Sequence, residues 1–234
     1  MKKAQIGSTV LFYILIICIF IAATYLGSET TSVVAGLIPV EREHTVIIDA
    51  GHGGMDGGAT SCTGVLESQI NLEIALRLND LCRLLGYDTK MIRTADVSVY
   101  TEGETIAAKK VSDLKERVRI VNELENAILV SIHQNTFSDS RYSGAQVFYG
   151  AKGDSRELAE SMQAALIQNV NPDSSRSFKK ADGIYLMDRI KCTGILVECG
   201  FLSNPSEEAK LRSADYQKQL SAVIAATLAN FLDQ

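Results

Sequence analysis

Hydrophobic positions along the chain follow two alternating rhythms. Short apolar runs at 45–50 ("TVIIDA"), 86–93 ("GYDTKMIR"), 127–132 ("AILVSI"), 144–150 ("GAQVFYG") and 194–200 ("GILVECG") read as strands. Between them, apolar residues recur three and four positions apart, the spacing of one helix face. Residues 68–85 bring Leu72, Ala75, Leu76, Leu81, Cys82 and Leu85 near one face. Residues 112–124 space Leu114, Val118 and Val121, with Ser112 or Asp113 available to cap. Residues 155–170 carry Leu158, Met162, Ala165 and Leu166 ahead of Pro172, and 206–232 turn Leu220, Val223, Ile224, Thr227, Leu228 and Phe231 toward the body. The polar stretch from Thr94 to Lys110 predicts a surface excursion. Strands separated by such helices predict an α/β fold, a single domain whose largely parallel sheet is flanked by helices on both faces.

The first 28 residues break both rhythms. After Lys2 and Lys3 no charge occurs until Glu29, and Val10 to Leu26 is almost wholly apolar. Seventeen such residues lie near the lower limit for a membrane-spanning helix, and the basic end favours a cytoplasmic N-terminus with the rest outside. The segment therefore reads as an uncleaved anchor, with a cleaved signal peptide as the alternative. This divides the chain into an anchor or signal segment at 1–28, a tether at 29–43 and a domain at 44–234. Without the two leading lysines, 21 basic residues face 28 acidic ones, net −7, which argues against a nucleic-acid partner. Cys62, Cys82, Cys192 and Cys199 form no CxxC motif or disulfide framework and read as lone small hydrophobes, although the spacing leaves one disulfide open.

Chemistry in such folds gathers at the carboxyl ends of strands. Two of the three histidines, His52 and His133, end the runs "IIDAGH" and "LVSIH", and Glu198 lies in "GILVECG". The glycines around His52 fit neither of the common loop chemistries. No GxGxxG opens directly into a helix, no Gly-Lys-Ser/Thr follows, and no G-x-S-x-G elbow accompanies an oxyanion loop. A hydrolytic zinc site instead needs three protein ligands and an open position. Glu67 is a candidate third ligand at the start of the first helix, preferred only weakly over Glu73, and it reads equally as a glutamate stabilised by the helix dipole. Glu198, on an apolar strand, suits a general base whose pKa burial raises. Cys199 should face away from it, because side chains alternate along a strand. Asp49 reads either as a group orienting His52 or as a structural residue.

The segments "IDAGHGGMDGGA", "SQINLEIA", "MIRTAD", "LKERVRIVN", "LVSIHQN" and "ILVECGFLSN" occur in an order that resembles the zinc-dependent N-acetylmuramoyl-L-alanine amidases of the amidase type 3 family. The resemblance runs from about Thr45 to Asn230 and points to the sporulation branch, which acts on spore cortex on the way to muramic δ-lactam. It implies one domain around a mixed, mostly parallel sheet. It also implies one Zn²⁺ held by His52, Glu67 and His133, with Glu198 as the catalytic carboxylate and Asn135 helping to shape the cleft or to bind in it. Arg93, Arg117 and Asn122 match family positions and are assigned to architecture.

The implied reaction is hydrolysis of the amide joining N-acetylmuramic acid to the L-alanine of the stem peptide in peptidoglycan. Zinc would polarise the carbonyl and acidify its water, and Glu198 would move the proton to the departing nitrogen. The implied location is extracytoplasmic at the membrane, in the forespore intermembrane space, with a protein partner that activates or positions the enzyme. A zinc peptidase or deacetylase acting on wall material is the alternative within enzymes. A non-catalytic peptidoglycan-binding relative is the alternative outside them.

Overall fold

In the computed structural model, which describes residues 42–233, the strands are β1 (Thr45–Ala50), β2 (Asp88–Met91), β3 (Ala127–Asn135), β4 (Gln146–Tyr149), β5 (Lys179–Lys180) and β6 (Thr193–Phe201). The helices are α1 (Glu67–Leu84), α2 (Ile106–Asn122), α3 (Ser155–Asn169), α4 (Tyr185–Arg189), α5 (Pro205–Leu211) and α6 (Ala214–Leu232). The sheet order is β2-β1-β3-β6-β4-β5. The first four of these run parallel, β4 pairs antiparallel to β6, and β5 runs parallel to β4. The sheet is thus mixed and mostly parallel.

Strands β1, β3 and β6 are near-continuous apolar runs because helices cover both of their faces. Val46, Ile48, Val130, Ile132, Ile195 and Val197 point into one core with Ile74 and Leu78 of α1, Leu158 and Met162 of α3, and Leu220 and Ile224 of α6. Ile47, Leu129 and Leu196 point the other way, onto Val121 of α2 and Leu186, Met187 and Ile190 around α4. Cys199 is fully buried in the first of these cores, on the side away from Glu198. The four cysteines of the described residues are free.

The structure departs from the reading of the sequence in three places. Helix α2 begins at Ile106, inside the expected excursion, and its cap is Thr105, whose Oγ1 accepts from the Ala108 N–H. Ser112 and Asp113, the expected caps, lie within the helix and serve the preceding loop. Ser112 Oγ accepts from the Thr101 and Glu102 N–H groups, and Asp113 accepts from that of Val99. The first turns of α2 carry an exposed Ile106 and Val111, so they show no inward stripe to betray them. The pattern at 206–232 is two helices rather than one. The chain turns at Arg212 and Ser213, where Ser213 caps α6 and the buried Gln217 donates to the Leu211 carbonyl. No glycine or proline marks that turn. Elements β5 and α4, too short for periodicity to register, are the third departure.

Among the described residues no helix is long and apolar enough to cross a membrane. The expected anchor at 1–28 and most of the tether lie outside the described residues.

The first half of β4, which β5 does not reach, is completed by a side chain. Gln163 of α3 accepts from the Val147 N–H at 2.9 Å and donates to the Ala145 carbonyl at 3.1 Å, standing in for a neighbouring strand. Gln163→Leu would leave a buried donor and a buried acceptor unpaired, at about 1–3 kcal/mol each. Chemical denaturation should show that loss with an unchanged dependence on denaturant concentration; a loss below about 1 kcal/mol would mean the edge needs no such partner.

Candidate metal centre

The loop after β1 is shaped by two buried arginines. Arg117 of α2 donates to the carbonyls of Ala50 at 3.1 Å and His52 at 2.7 Å. Arg93 donates to the carbonyls of Ala50 at 2.8 Å, Gly51 at 3.0 Å and Ser68 at 2.8 Å. Held this way, His52 adopts φ +60°, a left-handed conformation that a residue with a side chain keeps only when its surroundings impose it. Arg117 is charge-balanced by Asp113 and by Asp49, whose other oxygen accepts from Ser131 Oγ at 2.6 Å. Burial works against the Asp49 carboxylate, yet Arg117, His133 and Ser131 hold its pKa below the usual range.

Two glycines of this loop answer to close approach. A Cβ on Gly51 would overlap the His133 ring. One on Gly58, which has φ +69°, would lie 2.6 Å from a Glu67 oxygen and 2.8 Å from the His52 ring. The glycines therefore make room for the side chains that meet here.

Those side chains converge on Glu67, the first residue of α1. His133 Nδ1 lies 2.9 Å from Oε1, and His52 Nε2 lies 3.3 Å from Oε2. The two imidazoles stand edge-to-face with centroids 5.0 Å apart. The Asn71 amide and the Gln134 N–H also reach Oε1, both at 3.2 Å, and the Ala59 N–H reaches Oε2 at 2.9 Å. Burial would raise the Glu67 pKa, but the two histidines hold it far below the usual carboxylate range. The reciprocal effect acts on His52. Burial lowers its pKa, and Glu67 and Asp56 outweigh that and push it up to about 9.

The set fits a divalent cation of zinc type. One donor atom from each of His52, Glu67 and His133 lies within 4.8 Å of the others. Asp56 Oδ2 lies 2.9 Å from His52 Nδ1 and is itself paired with Lys110 at 2.8 Å. Both ring nitrogens of His52 face carboxylates, which only accept; on a neutral ring, a proton kept on Nδ1 by Asp56 would leave Nε2 to ligate.

Glu198 completes the group. In the β3–β6 register it stands directly opposite His133. Its Oε2 is buried with no hydrogen-bond partner. Burial pushes its pKa up to about 7, helped by Glu67 and opposed by His133 and His52. His52, His133 and Glu198 line a cleft of about 440 Å³ whose opposite wall includes Lys110, Leu114, Ile184 and Tyr185. A larger cavity, of about 1040 Å³, opens at the amino-terminal end of the parallel strands beside Asn126, Cys192 and Thr193 and contains none of these groups.

Of the residues singled out from the sequence, His52, Glu67, His133 and Glu198 meet in one place. Asp49 borders the same cleft but makes no bond to the His52 ring; its link runs through Arg117 to the His52 carbonyl. Asn135 follows the irregularity in β3, paired with Phe201, and its carbonyl accepts from the Leu202 N–H. Asp56, Lys110 and Asn71 had no defined role in the sequence reading. The four-residue spacings of Asp56 from His52 and of Asn71 from Glu67 hint at two of them, and no local pattern points to Lys110.

A carboxyl whose pKa is raised in the folded state binds an extra proton between about pH 4.5 and 7. Its contribution to stability is fully present below 4.5 and is lost as pH rises through 7. In metal-free protein, Glu198→Gln should therefore raise the melting temperature by several degrees at pH 8 and leave it unchanged near pH 4. Equal melting curves at both pH values would contradict the buried, unpaired state of Glu198.

Residues 46–230 match the family described as N-acetylmuramoyl-L-alanine amidase. The chain is 34% identical over 225 residues to the germination-specific N-acetylmuramoyl-L-alanine amidase of Bacillus subtilis (strain 168), covering 95% of this chain and 92% of that protein. Its fold is similar to that of the CwlD amidase from Clostridioides difficile, solved in complex with the GerS lipoprotein: TM-score 0.78, 37% identity, 81% of this chain and 98% of that one. An N-acetylmuramoyl-L-alanine amidase from Clostridium difficile 630 aligns with TM-score 0.71 at 32% identity over 82% of this chain and 97% of that one. With its sheet order, its clustered ligand types and a match across nearly the whole described domain, the chain belongs to the N-acetylmuramoyl-L-alanine amidase family.

Proposed function

We propose that this amidase is a zinc enzyme of spore cortex peptidoglycan that cuts the amide between N-acetylmuramic acid and the L-alanine of the stem peptide. The observation that carries the reading is Glu198, whose Oε2 is buried and unpartnered, sharing one cleft with His52 and His133 of a His-Glu-His cluster. When bound by His52, Glu67 and His133, zinc supplies Lewis acidity, polarising a carbonyl and making water easier to deprotonate.

The chain's own groups do the rest. Glu198 has a pKa near neutrality, so it accepts a proton from water and returns it to the nitrogen that leaves. An amide nitrogen is a poor leaving group until it is protonated, which is why one carboxyl must serve in both directions. Asp56 and Lys110 keep the His52 ring in the required tautomer. Asn71, Gln134 and Ala59 hold Glu67 ionised and oriented. Leu114, Ile184 and Tyr185 shield the cleft from bulk water and strengthen the electrostatics inside it.

Two relatives support a reading of the setting. The Bacillus subtilis relative is named for germination, and the Clostridioides difficile one was solved with a lipoprotein. We infer that this chain acts outside the cytoplasm, is held at the membrane by residues 1–28 with 29–43 as tether, and works with a protein that positions or activates it. Removal of the stem peptide would leave the muramic acid ready for conversion toward δ-lactam. A peptidase or deacetylase would yield different products.

Intact protein and Glu198→Gln should each bind one zinc, and only the former should release stem peptides with a free L-alanine N-terminus from defined peptidoglycan. The expected fall in rate is about 10²–10⁴-fold. His133→Ala should lose stoichiometric zinc. Full activity in Glu198→Gln, full zinc in His133→Ala, or cleavage at any other bond would overturn the assignment.

A further inference from the structure

On the far side of Glu198 from the Leu114 wall, the sheet carries a guanidinium that the proposed reaction does not use. Gln146 of β4 stands opposite Glu198 in the antiparallel pair, so both side chains leave the same face of the sheet. The Gln146 amide donates to the Ser177 carbonyl at 2.8 Å and accepts from Arg176 Nη1 at 3.0 Å. Arg176 Nε donates to the Ser143 carbonyl at 2.6 Å, and the guanidinium lies over the Phe201 ring at 4.4 Å. Beside it stand two large exposed rings, Phe137 (51% exposed) and Tyr142 (46%), in edge contact at 4.6 Å.

Arg176 differs from the arginines behind the metal centre. Arg117 is balanced by two carboxylates, and Arg93 is turned inward onto backbone carbonyls. Arg176 is half-buried and held only by neutral acceptors and the Phe201 and Tyr142 rings. Among the described residues it has no ion-pair partner, and its Nη2 makes no hydrogen bond. The nearby acid, Glu207, is occupied by the N–H groups of Gly144 and Phe201. A guanidinium immobilised through Nε and Nη1, partly desolvated and with Nη2 free to donate is suited to a carboxylate, which accepts charge-assisted N–H bonds.

The substrate chemistry identifies which carboxylate. The lactyl carboxyl of N-acetylmuramic acid is already engaged in the scissile amide, so free carboxylates lie on the peptide. We propose that Arg176, walled by Phe137 and Tyr142, is a subsite for a carboxylate of the stem peptide and sets on which side of Glu198 the leaving group lies. This inference rests on the amidase reading above and deepens it.

Equilibrium binding to the zinc-loaded full chain tests it without bond cleavage. Two synthetic stem peptides beginning with L-alanine serve as probes, one with its carboxylates free and one with every carboxylate amidated. The intact protein should prefer the free form by about tenfold or more, and Arg176→Gln should abolish that preference while keeping its zinc and melting temperature. Arg176→Lys, which keeps the charge without the fork, should retain only part of it and serves if the glutamine variant is unstable. No binding of the free-carboxylate peptide, or the same preference in the intact protein and the variants, overturns the subsite. Failure of hydrolysis with the preference intact would count instead against the proposed reaction.

Discussion

The site depends on one buried ion pair. Arg117 reaches from α2 to Asp49 at the end of β1 and, with the same guanidinium, takes the carbonyls of Ala50 and His52. A buried pair of this kind is a weak source of net stability, since desolvating both charges offsets most of their attraction. What it secures here is geometry. It fastens a helix to a strand end and holds the intervening residue in a backbone conformation that would otherwise relax. Arg93 does the same from β2's end of the sheet. His52 can then point its ring at Glu67 without any ligand to organise it.

Around that clamp the protein accepts several locally unfavourable arrangements. His52 has a positive φ, Glu198 buries an oxygen without a partner, and Glu67 sits almost fully buried between two imidazoles. Each opposes folding taken alone, and each is what the proposed chemistry needs: a preset ligand, a base near neutrality and a fixed carboxylate. The surrounding packing makes them tolerable. Three central strands are buried on both faces by apolar side chains, so the irregular backbone is confined to their carboxyl ends, where one cleft collects it.

The fold class was legible because fully buried parallel strands and amphipathic helices write distinct periods. The start of α2 was not, because an exposed helical turn with no inward face leaves no stripe and its polar residues resemble a loop. The break between α5 and α6 was hidden for the complementary reason: the helical pattern continues across it, and the turn is made by a serine cap and the buried Gln217 rather than by a breaker. At the site, His52, His133 and Glu198 stood out as polar endings to apolar runs. Glu67 did not stand out from Glu73 by spacing alone, since both lie on the same helix.

The sequence by itself determined the alternation of strands and helices and the chemical types that gather at strand ends, since burial periodicity and residue chemistry are local properties. Only the tertiary structure decided which of those residues meet. The parallel register of β3 and β6 sets His133 beside Glu198. The arginine clamp selects Asp56 rather than Asp49 as the neighbour of the His52 ring, and the β4 pairing brings Arg176 to the same face. Each of these is a contact between residues distant in the chain, fixed by strand register and buried charge, which no local pattern encodes.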